Sequence, residues 1–152
     1  MPKHIASGLK YLAAVKLKDA GASHQEIADQ LGVDRSTISH YLNGRNLSWN
    51  SIDVARTITE LSPPDFLKMA EAIFDEPEQR RKFVNICRER DFEVIIEDSC
   101  IGCGLCVNAC TMKAIKLESL QAHADSIQCC GCELCSDDCP TNSIKILEIE
   151  YD

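Results

Sequence analysis

CIGCGLCVNAC (residues 100–110) and CCGCELCSDDCP (residues 129–140) are two copies of one cysteine spacing. The first run reads CxxCxxCxxxC and the second reads CxxCxxCxxxCP. Three thiolates at three-residue intervals on a tight loop can hold three irons of a 4Fe-4S cube, whereas the last cysteine of the run is carried away at the start of a helix. The fourth ligand of each cube must therefore come from elsewhere in the chain. The doubled pattern predicts two 4Fe-4S clusters.

The distribution of cysteine and of charge divides the chain into two parts. Nine of the ten cysteines lie between Cys100 and Cys139, in the last third of the 152 residues. The same end is acidic, because residues 92–152 contain three Lys/Arg and eleven Asp/Glu, whereas residues 1–50 contain six and four. An acidic domain repels nucleic acid, so any contact with DNA is expected at the N-terminal end.

The chain also lacks the patterns of secretion and membrane insertion. Its start, MPKHIASGLK, has no signal-peptide core, and no apolar run approaches the roughly 20 residues that cross a bilayer. We therefore expect a cytoplasmic protein with no membrane partner. In that reducing compartment a dense cysteine array favours metal binding over disulfides. Zinc is the alternative metal, although zinc ribbons use paired CxxC knuckles and not two runs of four.

Residues 92–152 resemble a bacterial-type ferredoxin with two 4Fe-4S clusters and a βαββαβ-like fold. FEVIIEDSC resembles its opening strand, and IKL and IKILEIE resemble its later strands. In that family the fourth cysteine of each run ligates the other cluster. The resemblance therefore implies one cluster held by Cys100, Cys103, Cys106 and Cys139, and a second held by Cys129, Cys132, Cys135 and Cys110.

Three residues stand outside this pattern. Thr111 occupies the position after the fourth cysteine where the family usually has proline, as Pro140 is in the second run, but this change removes no ligand. Cys87 is interpreted as a small buried apolar residue on a helix. Cys130 is interpreted as a bystander beside the cluster, with a part in cluster damage or repair as the alternative.

SHQEIADQLGVDRSTISHYLNGR (residues 23–45) is the second informative stretch. Ser23 and Glu26 predict a capping box at the start of one helix, and Gly32 predicts a short turn before the next. A small residue at Ala28, four positions before the turn glycine, suits two helices that cross at a steep angle. The stretch predicts a helix-turn-helix.

This stretch resembles the DNA-binding domain of the phage-repressor (Cro and C1-like) family. With a helix before the motif and SWNSIDVARTITEL and PPDFLKMAEAIF after it, the resemblance covers about residues 5–74 and implies an all-α, five-helix domain that binds double-stranded DNA. Docking of a protein partner is the alternative for the same surface. By matching positions, base edges would face Arg35, Ser36 and His40, with Thr37 and Ser39 beside them, and phosphates would contact Gln25, Asn43 and Arg45.

The expected fold class is a multidomain α+β protein. It comprises a helix-turn-helix domain (1–74), a helical linker (75–91) and a two-cluster ferredoxin domain (92–152). The charged residues of the linker helix are interpreted as facing solvent. The alternative is that this helix contacts the two domains that it joins, or its own copy in a dimer. A repressor-like domain implies a homodimer, because its operators have two half-sites.

Two functions fit this organisation. The first is a transcriptional regulator that senses redox state, oxygen or cluster status through its clusters, and the fusion of the two domains motivates it. The alternative is a ferredoxin-type electron carrier whose helical domain docks a redox partner protein. An enzyme is not expected, because eight cysteines leave no open iron position and the sequence has no nucleotide loop or nucleophile with a base. The resemblance also implies an anaerobic prokaryote.

Overall fold

The computed structural model describes residues 3–45 and 48–151, and the chain divides into two compact units, residues 1–89 and 90–152. In the described residues the first unit is all-helical and the second contains both strands and helices. None of the described helices is long and apolar enough to span a membrane.

The central element of the first unit is its first helix, which packs against four of the others. Gly8 lies on this helix where a Cβ atom would collide with the carbonyl oxygen of Ser51, so the missing side chain allows close helix packing. The helices of the described part of this unit are α1 (Lys3–Asp19), α2 (His24–Leu31), α3 (Arg35–Leu42), α4 (Trp49–Thr59), α5 (Pro63–Ile73) and α6 (Pro77–Cys87).

The capping box and the turn predicted between α2 and α3 are confirmed. The Ser23 hydroxyl accepts a hydrogen bond from the Glu26 N–H at 3.2 Å, and the Glu26 carboxylate accepts one from the Ser23 N–H at 2.9 Å. Gly32 ends α2 with a φ of +67°, a left-handed conformation that glycine adopts without steric cost. Ile27, Ala28 and Leu31 are buried beneath this turn.

The segment predicted as a linker forms α6, and α6 packs within the helical unit. Its apolar stripe explains this, since Phe83, Val84 and Cys87 are buried. The Phe83 ring lies 4.6 Å from the Phe74 ring, centroid to centroid, and Lys16 of α1 donates to the carbonyl oxygen of Cys87 at 3.2 Å. The structure therefore groups residues 77–87 with the helices before them.

The second unit has the element order β-α-β-β-α-β. It comprises β1 (Phe92–Ile96), α7 (Leu105–Ala109), β2 (Ile115–Glu118), β3 (Gln121–Ala124), α8 (Leu134–Asp138) and β4 (Ile144–Glu148). β1 pairs antiparallel with β4, with Phe92 opposite Glu148, and β2 pairs antiparallel with β3, with Ile115 opposite Ala124. The three strands placed in this region are confirmed as β1, β2 and β4, whereas β3 is the strand of the expected βαββαβ-like order that the sequence did not place.

The two cysteine runs fold alike. Each begins with a loop containing a left-handed glycine, Gly102 (φ +73°) in the first and Gly131 (φ +79°) in the second, and each continues into a five-residue helix. A Cβ at Gly102 would overlap the carbonyl oxygen of Leu120, and one at Gly131 would overlap the ring of Phe92. These close approaches require glycine at both positions.

Candidate metal centres

Two cavities in the second unit bring the eight expected ligands together in two groups of four. The space in the first cavity, including the part open to solvent, is about 330 Å³, and that in the second is about 320 Å³. Each takes three cysteines from one run and the last cysteine from the other run. The first is lined by Cys100, Cys103, Cys106 and Cys139, and the second by Cys129, Cys132, Cys135 and Cys110.

The two short helices explain why the last cysteine of each run lines the cavity of the other run. α7 and α8 pack against each other, and each begins one residue before the third cysteine of its own run, which is Cys106 or Cys135. The fourth cysteine therefore follows the end of a helix, whereas the sequence had led us to expect it at the start of one. Cys110 directly follows α7 and Cys139 directly follows α8, so each helix carries its last cysteine to the neighbouring cavity.

The lining of both cavities suits an iron-sulfur cluster. The four expected cysteines of each cavity make up the ligand set of a 4Fe-4S cluster. Apolar side chains, among them Ile144 in the first cavity and Ile115 in the second, supply a low-polarity wall. Cys106 and Cys135 are part of the same buried cluster of side chains, so the ligands belong to the core of the unit.

Hydroxyl groups surround the fourth ligand of the first cavity. The Sγ atom of Cys139 lies 3.6 Å from the Thr141 hydroxyl and accepts a hydrogen bond from the Ser143 N–H at 3.3 Å. The Ser143 hydroxyl is fully buried and contacts both the Thr141 hydroxyl and the Ser99 hydroxyl, the latter at 2.7 Å. Desolvation opposes ionisation here, but the hydrogen bonds from Ser143 and Thr141 outweigh it and lower the pKa of the Cys139 thiol.

The second cavity has an apolar counterpart of this arrangement. The Sγ atom of Cys110 accepts a hydrogen bond from the Ala114 N–H at 3.3 Å, as Cys139 does from Ser143. Met112 and Ala114 occupy the positions that correspond to Thr141 and Ser143, however, and both are buried and lack a hydroxyl.

Burial controls the ionisation of the third ligand in the second cavity. Desolvation, followed by the charges of Cys110 and neighbouring cysteines, raises the pKa of Cys135 to about 12. Because iron binds the thiolate, cluster assembly must displace this proton.

The two cavities also differ in exposure. Cys103 at the first cavity is exposed, and Ile101 and Leu105 beside it are 64% and 49% exposed. At the second cavity Cys129 and Cys130 are buried. A cluster in the first cavity is therefore the more accessible to a partner.

The two cysteines outside the ligand set lie in different places. Cys87 is buried in α6, and its burial raises the pKa of its thiol to about 12, so the interpretation as a buried apolar residue is confirmed. Cys130 lines the second cavity beside the four expected ligands.

The residues expected to contact DNA lie on and around α3. Arg35, Ser36 and His40 are exposed, whereas Thr37 and Ser39 are half-buried. Gln25 on α2 is exposed and donates to the Asp29 carboxylate at 2.9 Å, and after α3 Asn43 and Arg45 are exposed.

Sequence reasoning missed the set of hydroxyl side chains that surrounds Cys139. Thr141 and Ser143 follow that cysteine at two and four residues, and a comparison of the two runs position by position would have shown that Met112 and Ala114 replace them. The contribution of Ser99 is not visible in the sequence, because Ser99 lies 44 residues from Ser143.

Comparison with known proteins supports the cofactor. Residues 93–146 match the family described as the 4Fe-4S dicluster domain. The chain is 35% identical over 114 residues to the ferredoxin-type protein FwdE of Methanocaldococcus jannaschii, an alignment that covers 74% of this chain and 76% of that protein. No solved structure matched the chain. The predicted cofactor, two 4Fe-4S clusters, is confirmed.

The alignment with FwdE is longer than the second unit, which spans residues 90–152. It must therefore extend into the helical unit. Part of the helical unit is thus aligned with a protein that is described as ferredoxin-type, and neither match supports the resemblance to phage repressors.

Proposed function

Because this chain belongs to the ferredoxin-type iron-sulfur proteins that contain a 4Fe-4S dicluster domain, we propose that it is an electron carrier serving a partner protein. The observation that carries the proposal is the pair of cavities, each lined by its four expected cysteine ligands. Bound 4Fe-4S clusters supply one-electron redox chemistry, and full thiolate ligation leaves no iron open to a substrate. A carrier needs nothing more from its cluster unit.

The relative favours this function over transcriptional regulation. FwdE is described as a ferredoxin-type protein, and its similarity reaches into the helical unit. In this proposal the helical unit docks the protein to its redox partner. This was the alternative hypothesis from the sequence.

The side chains of the second unit have separable roles in this proposal. The eight cysteines bind the irons, and the hydroxyls of Thr141 and Ser143 stabilise the negative charge that reduction adds near Cys139. Ile115 and Ile144, which pack with Cys106 and Cys135, keep water away from these two ligands.

The rim of the first cavity is the proposed face for electron exchange. Cys103 is exposed there, and Leu120, which covers Gly102, is 78% exposed. Residues 92–152 carry eleven Asp/Glu and three Lys/Arg, so a partner with a basic surface is favoured. Association with the partner should therefore weaken as salt concentration rises.

The proposal is tested with anaerobically purified protein. We expect about eight irons and eight sulfides per chain, and uptake of two electrons from a low-potential donor, one per cluster. The reduced protein should then reduce an isolated redox enzyme of the same host in a stopped-flow experiment. Clusters that take up electrons but pass none to any redox enzyme of the host would contradict the proposal.

Transcriptional regulation is retained as a second candidate because of one observation. Arg35, Ser36 and His40 are exposed on α3, after a turn whose predicted geometry is confirmed. This candidate also requires a homodimer, which sedimentation would detect.

DNA binding separates the two candidates. Fragments of the host genome are tested with the clusters oxidised, reduced and removed, and a regulator should change its affinity more than about tenfold between states, or 1.4 kcal/mol. Arg35→Ala should cost about 1–3 kcal/mol of DNA affinity with unchanged cluster absorption. Arg56→Ala, which removes an exposed arginine from α4, is the matched control. Absence of specific binding in every state leaves the electron carrier alone.

A further inference from the structure

The second cavity contains one thiol more than a 4Fe-4S cluster uses. Cys130 lines this cavity together with Cys110, Cys129, Cys132 and Cys135. Its side chain is buried, with 6% of the residue exposed. In the sequence it stands directly after Cys129 and two residues before Cys132. A buried thiol that lines a cluster site, between two of its ligands in the chain, has both the chemistry and the position of a ligand.

The first cavity offers an internal comparison. Ile101 occupies the position that corresponds to Cys130, directly after the first cysteine of its run, and it also lines its cavity. Ile101 is 64% exposed and cannot bind iron. The two sites are thus alike in their four expected ligands and differ in the presence of a fifth thiol.

Cys132 is the ligand that Cys130 is placed to replace. Cys129 and Cys135 of the same run are buried, whereas Cys132 is half-buried and therefore more accessible to oxidants and alkylating agents in solvent. Its counterpart in the first cavity, Cys103, is exposed and has no thiol beside it at position 101.

We propose that Cys130 is a reserve ligand, which binds the iron of Cys132 in the second cluster when that iron–thiolate bond is lost. In the exchange the bond from iron to Cys132 Sγ breaks and a bond from iron to Cys130 Sγ forms. Cys130 releases its thiol proton to solvent as it binds, an intact Cys132 thiolate takes up one proton from solvent as it leaves, and no electron is transferred. The inference rests on the ligand set of the proposed carrier, and not on the identity of its redox partner.

Two matched substitutions test the proposal. Cys132→Ala removes a ligand beside the reserve thiol, and Cys103→Ala removes the corresponding ligand where no reserve exists. We expect Cys132→Ala to retain about eight irons per chain, and Cys103→Ala to lose one iron or a whole cluster. Iron and sulfide analysis gives the count, and electron paramagnetic resonance distinguishes four-iron from three-iron clusters.

Two further variants identify the replacing atom. Cys130→Ser alone should retain the full iron content, whereas Cys130→Ser combined with Cys132→Ala should lose iron as Cys103→Ala does. Ile101→Cys should restore the missing iron to Cys103→Ala. Equal loss from Cys132→Ala and Cys103→Ala would overturn the proposal. Full iron content in Cys103→Ala would instead overturn the assignment of Cys103 as a ligand of the first cluster. The carrier function is tested separately, by electron transfer from the wild-type protein.

A measurement on protein with all eight ligands covers the case in which Cys132→Ala does not fold. Iron release to a chelator in air is followed for the wild type and for Cys130→Ser. We expect a fast phase from the exposed first site and a slow phase from the second, and the slow phase should accelerate in Cys130→Ser. An unchanged slow phase in that variant would overturn the proposal.

Discussion

Replacement of Thr141 by valine should lower the reduction potential of the cluster in the first cavity and leave the other unchanged. The Thr141 hydroxyl lies 3.6 Å from Cys139 Sγ and at the end of a chain of hydroxyls that continues through Ser143 to Ser99. When Cys139 binds iron as a thiolate, the hydroxyl must be the donor, since a thiolate carries no proton. Valine keeps the shape of threonine and removes the hydroxyl, including its contact with the Ser143 hydroxyl.

The size of the effect follows from the charge added on reduction. A hydrogen bond to a charged group contributes about 1.5–3 kcal/mol, and one between neutral groups about 0.5–1.5 kcal/mol. If the added electron strengthens this bond by about 1 kcal/mol, its loss lowers the potential of a one-electron couple by about 40 mV. In the second cavity Met112 occupies the corresponding position, so no such donor is lost there.

The assay is an anaerobic redox titration monitored by electron paramagnetic resonance, which yields a potential for each cluster. Ser136→Ala is the matched control, because the Ser136 hydroxyl donates to the carbonyl oxygen of Ile144 at 3.2 Å and not to sulfur. Wild-type potentials in Thr141→Val, or a shift of equal size in Ser136→Ala, would refute the assigned role of the hydroxyl.

Three further predictions follow from other parts of the molecule. Cys139→Ala should damage the cluster of the first run although Cys139 belongs to the second run, and Cys110→Ala should damage the cluster of the second run. Electron paramagnetic resonance and iron analysis would show which cluster is lost, and loss of the other cluster in either variant would contradict the assignment. Gly8→Ala should lower the free energy of unfolding of the helical unit by about 1–3 kcal/mol, because the added Cβ meets the Ser51 carbonyl. Urea unfolding measures this free energy, and an unchanged value would contradict the close contact between α1 and α4. Cys87 should resist iodoacetamide at pH 8 in the folded protein and react after unfolding, because its burial raises the pKa of the thiol to about 12. Mass spectrometry of the peptides measures the alkylation, and modification of Cys87 in the folded protein would contradict the prediction.

Local patterns in the sequence were sufficient for the cofactor and for several elements. The spacing of the cysteines predicted two 4Fe-4S clusters because three of the four ligands of each come from one short run of the sequence. Ser23 and Glu26 predicted the start of α2 because a capping box involves residues only three positions apart. FEVII and IKILE were placed as strands by their resemblance to the ferredoxin family, and they form β1 and β4. Their Phe, Val and Ile residues favour strands locally.

The tertiary structure decided the features that depend on residues distant in the chain. β3 has the sequence QAHA, which lacks β-branched residues, and it forms because it pairs with β2. The helix α6 joins the core because Phe83 meets Phe74 and α1. The unequal surroundings of the two cavities likewise arise where Ser99 reaches Ser143 and where Cys130 is buried against the second site. The sequence by itself determined which metal clusters this protein binds, because ligand spacing is local, whereas folding determined how the two clusters differ, because each environment is assembled from distant segments.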